Sequence, residues 1–191
     1  MKMLKFLSVS LFIMLLAVAA VWADEEAKVE AKAQFEQPLL ISSAGQSADV
    51  KLVGMLAKKQ KLDAKIVEMA QPSDLDGIKT LIIVPGFSSK GLGAAGVSQK
   101  DEMERVVALV EAANKAGIPI VTLHIGGTAR RGGQSDGFNK LAAESSKQMI
   151  VVQQGDEDKF FSNIAEEKNI PLEVVPKIAQ AAKPLGDLFK K

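Results

Sequence analysis

The 191-residue chain has no cysteine, no tyrosine and one histidine, and its only tryptophan is Trp22. Without cysteine the protein forms no disulfide bond and none of the usual zinc sites, so its stability must come from an apolar core. Sugar-binding sites commonly stack a sugar ring on tryptophan or tyrosine, and the scarcity of both residues disfavours a carbohydrate ligand.

The charges are nearly balanced, with 24 Lys and Arg against 23 Asp and Glu. The chain has no basic cluster, which argues against nucleic acid or an anionic membrane surface as the main partner. Asp156 and Asp158 lack the spacing of a calcium-binding loop, and the simpler interpretation is that they interact with the dipole of a following helix. We therefore expect no metal site and no organic cofactor.

Residues 1–23 have the pattern of a secretory signal peptide. Lys2 and Lys5 are followed by an uncharged apolar run from Phe6 to Val21. The next residues complete Val21-Trp22-Ala23, which has small residues at the −3 and −1 positions of a cut after Ala23. The run is shorter than the roughly 20 residues of a spanning helix, so we expect cleavage and no stable membrane anchor. Cleavage removes two lysines and no acid, which changes the formal net charge from +1 to −1. The expected product is exported, either periplasmic or secreted.

After a charged, alanine-rich segment interpreted as flexible (24–37), we expect one domain over residues 38–191. Short apolar runs alternate with helical patterns, which is typical of a parallel sheet covered by helices on both faces. The predicted strands are Leu39–Ser42, Ala64–Glu68, Thr80–Val84, Ile118–Leu123, Met149–Gln153 and Leu172–Val175. We predict a three-layer, doubly wound α/β domain with a mainly parallel sheet of five to six strands, in the flavodoxin-like or Rossmann-like order 2-1-3-4-5.

Ligands of open parallel sheets bind beyond the carboxyl ends of the strands. The four predicted loops at those ends (42–47, 86–96, 124–136 and 153–158) are rich in glycine, serine and charged residues. The candidate ligand-binding residues on them are Ser43, Gly45, Gln46, Ser88, Ser89, Lys90, Gly91, Gly93, His124, Gly126, Gly127, Arg130, Arg131, Ser135 and Asp136.

The segment Gly86–Gly96 joins the third strand to a helix that Ser98 and Asp101 are predicted to cap. Four of its eleven residues are glycine, which suits tight turns or amides that approach a ligand. Its second half matches G-x-G-x-x-G, but the glycines do not follow the strand directly and the next strand ends in His124, so a nicotinamide site is disfavoured. A structural loop and a backbone anion site assisted by Lys90 stay open as alternatives.

The motif Ser88-Ser89-Lys90-Gly91-Leu92-Gly93-Ala94-Ala95-Gly96, with Glu104-Arg105, His124-Ile125-Gly126-Gly127, Arg130-Arg131-Gly132 and Ser135-Asp136, resembles an uncharacterised family of exported bacterial proteins. That family is defined only as a domain of unknown function. The resemblance runs from about Pro38 to the C-terminus. It implies an exported single domain and no particular activity.

Side chains in the loop after the fourth strand allow several roles. His124 is either a hydrogen-bonded core group or a proton carrier facing the cleft. Arg130 and Arg131 lie between two glycine pairs, and neighbours in an extended segment point in opposite directions. We therefore expect one arginine to face the ligand and the other to anchor the loop, with Asp136 as its partner.

Three functions are compatible with these residues. The first is binding of a small anionic or zwitterionic molecule in the carboxyl-end cleft. The second is hydrolysis with Ser88 or Ser89 as nucleophile, His124 as base and Asp136 as its orienting group, although the final glycine of G-x-S-x-G is missing. The third is an envelope protein-interaction module, which an apolar patch around Phe87 and Phe138 would favour. The oligomeric state is not indicated.

Overall fold

Six parallel strands form one sheet in the order β2-β1-β3-β4-β5-β6, so the predicted fold class and strand order are confirmed. The computed structural model describes residues 35–189, and the predicted signal peptide lies outside them. The strands are β1 (Leu39–Ala44), β2 (Ala64–Ile66), β3 (Thr80–Pro85), β4 (Ile120–His124), β5 (Gln148–Val152) and β6 (Leu172–Val175). The four central strands are buried throughout, whereas β2 and β6 at the edges are partly exposed.

Helices follow most of the strands, but β2 and β3 are joined by a 3-10 turn (Pro72–Leu75), and two helices lie between β3 and β4. The helices are α1 (Asp49–Lys59), α2 (Ser89–Ala95), α3 (Gln99–Lys115), α4 (Asp136–Glu144), α5 (Phe160–Lys168) and α6 (Ala182–Asp187). Short 3-10 turns at residues 127–130 and 153–155 follow β4 and β5. Between residues 35 and 189, no helix is both long enough and apolar enough to span a bilayer.

The cap predicted for the longest helix, α3, is confirmed. Ser98 Oγ accepts a hydrogen bond from the amide of Asp101, and Asp101 Oδ2 accepts one from the amide of Ser98, both at 3.1 Å. This reciprocal capping box satisfies two amides that the first turn leaves without partners. It fixes the start of α3 directly after the glycine-rich segment.

The segment 86–96 is not the open loop that its glycine content predicts, because residues 89–95 form α2. Ser88 caps this helix by accepting a hydrogen bond from the amide of Gly91 at 3.1 Å. Gly96 ends it with φ of 69°, a conformation that glycine adopts without steric cost. Seven of the eleven residues of the predicted loop therefore form a capped helix, and Lys90 lies in its first turn.

Alternate side chains of each central strand face opposite layers of the protein. Ile41 and Ile82 belong to one buried apolar cluster with α1 and α6, whereas Leu40 and Ile83 belong to another with α3 and α4. Phe35 is also buried, and its amide donates to the carbonyl of Leu188 at 2.7 Å. The packed domain therefore includes Phe35, which lies in the segment predicted to be flexible.

Candidate functional site

The loops that follow β1 and β3 pack directly against each other at the carboxyl edge of the sheet. The amide of Gly86 donates to the carbonyl of Ala44, and the amide of Ser88 donates to the carbonyl of Gly45, both at 2.8 Å. A β-carbon added at Gly45, where φ is 101°, would lie 2.7 Å from the carbonyl oxygen of Gly86. These contacts require glycine for backbone packing, because a side chain would separate the two loops.

The two inner glycines of α2 have different surroundings. A β-carbon at Gly91 would overlap the carbonyl oxygen of Gln46, whereas one at Gly93 would meet no atom within 4 Å. Gly91 therefore allows α2 to approach the β1 loop. Gly93, one of the predicted ligand-binding residues, faces open space and has no structural role of this kind.

A buried ion pair on α3, between Glu102 and Arg105, forms hydrogen bonds with the loop that follows β1. Glu102 Oε1 accepts hydrogen bonds from the amide of Gly45 at 2.9 Å, from Gln46 Nε2 at 3.0 Å and from Arg105 Nη2 at 2.7 Å. Arg105 Nη2 also donates to the carbonyl of Ser43 at 2.6 Å. The predicted ligand-binding residues of the β1 loop are thus held by protein partners, and their polar groups are largely satisfied.

Glu102 is absent from the motif on which the sequence resemblance rests, which contains the neighbouring Glu104. The structure buries Glu102 and leaves Glu104 exposed. The available sequence signal was the i,i+3 spacing of Glu102 and Arg105, which places both side chains on one face of a helix.

Arg130 lies at the centre of the carboxyl edge. Its Nη1 donates to the carbonyl of Phe87 at 2.9 Å, and its Nε is 3.5 Å from Asp49 Oδ2. The aliphatic part of the side chain covers Gly86 and Gly126, where added β-carbons would collide with it. Because 27% of the side chain is exposed, Arg130 can still contact a ligand at the surface.

Arg131 anchors the loop instead of facing solvent. Its Nε donates to Asp136 Oδ1 at 2.8 Å, and its Nη1 and Nη2 donate to the two carboxylate oxygens of Asp158 at 2.8 and 2.9 Å. The guanidinium also lies 4.3 Å from the ring centre of Phe160, a cation–π distance. One side chain therefore ties the loop after β4 to the loop after β5.

These contacts shift the ionisation of all three charged groups. The hydrogen bonds from Arg131 lower the pKa of Asp158 to about 2. Burial alone would raise the pKa of Asp136, but hydrogen bonds from Arg131 and Asn139 outweigh that effect and lower it. The pKa of Arg131 is raised, mainly by Asp158. The cluster is ionised throughout the physiological pH range.

His124 is fully buried at the end of β4, below the cleft. Its Nε2 is 3.3 Å from the carbonyl oxygen of Gly127, and its ring centre is 4.8 Å from that of Phe161. Burial lowers the pKa of His124 to about 4, so the imidazole is neutral at neutral pH. This environment is that of a core histidine.

The residues of a Ser-His-Asp triad are not joined by hydrogen bonds within the described chain. Ser88 Oγ caps α2, His124 Nε2 faces Gly127, and the carboxylate of Asp136 is engaged by Arg131. Ser89 is exposed on the first turn of α2. Their order along the sequence therefore does not correspond to an assembled catalytic group.

Three buried polar atoms close to Arg130 and Arg131 have no hydrogen-bond partner within residues 35–189. They are Asp49 Oδ2, His124 Nδ1 and Asn139 Oδ1. Asn139 was not among the predicted site residues, although it follows Phe138 on the buried face of α4, where a polar side chain is unusual.

Other predicted residues have structural roles. Ser135 Oγ accepts a hydrogen bond from the amide of Phe87 at 3.1 Å and so joins the β3 and β4 loops. Asp156 Oδ1 accepts from the amides of Phe161 and Ser162 at 2.7 and 3.1 Å, which places this carboxylate at the start of α5. Phe138 is fully buried and Phe87 is half-buried, so Phe138 adds nothing to the exposed apolar patch that would favour the interaction-module hypothesis.

Two adjoining clefts open at this edge, and Ser88, Lys90 and Arg130 line both. The cationic cleft has a volume of about 690 Å³ and comprises residues 87–90 and 129–135. Its charged lining residues are Lys90, Arg130 and Arg131, and no carboxylate from residues 35–189 lines it. The alanine-lined cleft has a volume of about 570 Å³ and includes Ala48, Ala94 and Ala95.

Residues 36–189 match the family described as "Domain of unknown function (DUF6305)". The chain belongs to the DUF6305 family. The prediction of an uncharacterised family is therefore confirmed. No curated protein matches the sequence of this DUF6305 protein.

Several solved structures align with the DUF6305 domain at low similarity. AlinE4, an SGNH-hydrolase family esterase, is 16% identical, with a TM-score of 0.30 over 84% of this chain and 85% of its own. A GDSL-like lipase from Bacteroides thetaiotaomicron is 8% identical, with a TM-score of 0.34 over 71% and 66% of the two chains. The psychrotrophic esterase EstA from Pseudoalteromonas sp. is 14% identical, with a TM-score of 0.29 over 72% and 75%. Scores this low carry no inference about activity.

Proposed function

We propose that the DUF6305 domain binds a small anionic or zwitterionic molecule in the cationic cleft. The supporting observation is the charge of the lining, where Lys90, Arg130 and Arg131 are present without a carboxylate. A concave site lined by charges of one sign concentrates ligands of the opposite sign. The volume of about 690 Å³ lies within the range of small-molecule sites.

Two of the three cations are available to a ligand. Lys90 is exposed and forms no ion pair with any residue of the described chain. Arg130 pairs with Asp49 at 3.5 Å, a longer separation than the 2.8 Å of the Arg131 ion pairs, and 27% of its side chain is exposed. Arg131, by contrast, is neutralised by two carboxylates. We therefore assign ligand contact to Lys90 and Arg130, and loop anchoring to Arg131.

The loop after β4 adds hydrogen-bond donors to the same cleft. The carbonyl of Gly132 accepts from the amides of Ser135 and Asp136 at 2.9 and 2.8 Å, which fixes the turn. The amides of Gly133 and Gln134 donate no hydrogen bond to a residue of the 35–189 segment. Backbone amides beside two cations suit the oxygens of a carboxylate or phosphate.

The experiment is a thermal-shift screen with inorganic phosphate, acetate and succinate. We expect at least one of these anions to raise the melting temperature of the wild type, because binding to the folded state alone stabilises it. Lys90→Ala should lose that rise. The matched control is Lys147→Ala, since Lys147 is also exposed but precedes β5 at the opposite edge of the sheet.

The proposal fails if none of the anions raises the melting temperature of the wild type. It also fails if Lys90→Ala and Lys147→Ala respond to the anions equally, because the rise would then not depend on the cleft.

A further inference from the structure

The alanine-lined cleft continues from the cationic cleft, because Ser88, Lys90 and Arg130 form part of both linings. On its far side it is lined by the apolar side chains of Met69 and Ala94, together with Ala48 and Ala95. The two clefts thus share Ser88, Lys90 and Arg130, and the second cleft adds apolar residues that the cationic cleft lacks.

The apolar residues of this second cleft do not belong to the core. Ala48 and Ala94 are exposed, Met69 and Ala95 are half-buried, and none of the four is part of a buried apolar cluster. Covering apolar groups in a concave site that is otherwise exposed to water lowers the free energy, which favours binding of an apolar ligand group. The lining therefore favours an apolar group in this cleft.

One helix carries both kinds of surface. Lys90 and Ala94 lie four residues apart on α2, and side chains at this spacing occupy the same face of a helix. A ligand whose charged end contacts Lys90 can therefore contact Ala94 with the atoms next to that end. The other charged groups of the cleft, Lys51 and Glu68, form an ion pair with each other at 3.1 Å.

We propose that the ligand is an anionic amphiphile, with a carboxylate or phosphate head on Lys90 and Arg130 and an apolar chain along Met69 and Ala94. This inference rests on the proposed function, since it uses the same anion site. The volume of about 570 Å³ suits one short chain, and a single free molecule fits the concave shape better than a bilayer surface does.

The test is isothermal titration calorimetry with acetate, butanoate, hexanoate and octanoate, all below their micellar concentrations. Each buried methylene group is expected to tighten binding about fourfold, so affinity should rise steadily with chain length. Octanol, which has the chain without the charge, should bind much more weakly than octanoate. Lys90→Ala should weaken octanoate binding to the level of octanol.

Substitutions of apolar residues in the alanine-lined cleft test where the apolar chain of the ligand lies. Met69→Gln and Ala94→Gln should reduce the gain in affinity per methylene, because each places a polar amide in the apolar cleft. The matched control is Met55→Gln, since Met55 is 59% exposed on α1 and does not line either cleft. This control should keep the wild-type dependence on chain length.

The outcomes separate the inference from the function on which it rests. If acetate or phosphate binds but octanoate binds no more tightly, the amphiphile inference is wrong and the anion site stands. If no anion binds, both are wrong. If octanoate does not bind but the protein sediments with phosphatidylglycerol vesicles in a Lys90-dependent manner, the ligand is a membrane surface and the inference is overturned.

Discussion

Arg131 and Asp158 form a double hydrogen-bonded ion pair, with Nη1–Oδ1 at 2.8 Å and Nη2–Oδ2 at 2.9 Å. The third nitrogen of the guanidinium, Nε, donates to Asp136 Oδ1, and Nη1 also donates to the carbonyl of Gly155 at 2.5 Å. Every nitrogen of Arg131 is therefore engaged by the protein. Of the two adjacent arginines, Arg130 is the more exposed, at 27% of its side chain against 12%, and it is the one proposed to contact a ligand.

Arg131→Gln should destabilise the domain by about 1–3 kcal/mol, because it leaves the partly buried carboxylate of Asp136 without its cation. Asp158→Asn should cost less than about 1 kcal/mol, since the side chain of Asp158 is 63% exposed. Urea denaturation of the two variants measures both losses. Equal losses, or a larger loss for Asp158→Asn, would show that the cluster does not anchor the loops.

Because of the same ion pair, we expect the stability of the domain to fall at low pH. The pKa of Asp158 is lowered to about 2 in the folded state, so its stabilising contribution is present above the unfolded pKa of about 4. That contribution is lost as the pH falls from about 4 towards 2. Arg131→Gln should reduce the loss of stability in this window, as measured by urea denaturation at pH 5, 4 and 3.

The lowered pKa of His124 predicts a second pH range, above that of Asp158, in which the stability of the domain changes. The pKa of His124 is about 4 when folded and about 6.5 when unfolded, so only the unfolded chain takes up the proton between these values. Stability should therefore fall as the pH drops from 6.5 to 4, by at most about 3 kcal/mol. His124 is the only histidine, so its imidazole C2–H signal in a proton NMR titration is unambiguous. A midpoint near 6.5 in the folded protein would refute this account.

The two inner glycines of α2 provide a matched pair of substitutions. Gly91→Ala should be strongly destabilising, because the added methyl group collides with the carbonyl of Gln46. Gly93→Ala should stabilise the domain by about 0.5–1 kcal/mol, since the position is helical and open and alanine restricts the unfolded chain. Thermal denaturation compares them. If both variants gain stability, α2 does not pack on the β1 loop.

The sheet was predictable from the sequence because its central strands are nearly continuous apolar runs separated by helical patterns. The start of α3 was predictable for a local reason, since Ser98 and Asp101 satisfy each other's amides. By contrast, glycine disfavours helix, and α2 forms with the help of the Ser88 cap and packing on the distant Gln46. That packing cannot be derived from the local sequence.

The site was predictable to a similar extent. The pairing of Arg131 with Asp136, five residues away, follows from loop geometry, whereas the pairing with Asp158, 27 residues away, depends on how two loops meet. The burial of Glu102 beneath the β1 loop is likewise a tertiary effect. The sequence could therefore indicate which loops form the edge, but not which of their charges are already neutralised.

The most direct test of the anion site is an amide NMR titration of the ¹⁵N-labelled protein with inorganic phosphate at low ionic strength. The account predicts that the largest shifts occur at residues 88–90 and 130–134, with Gly133 and Gln134 among them. These shifts should disappear in Lys90→Ala and persist in Lys147→Ala. Saturable shifts confined to another face, or shifts at these residues that survive in Lys90→Ala, would contradict the assignment of the cationic cleft as the binding site.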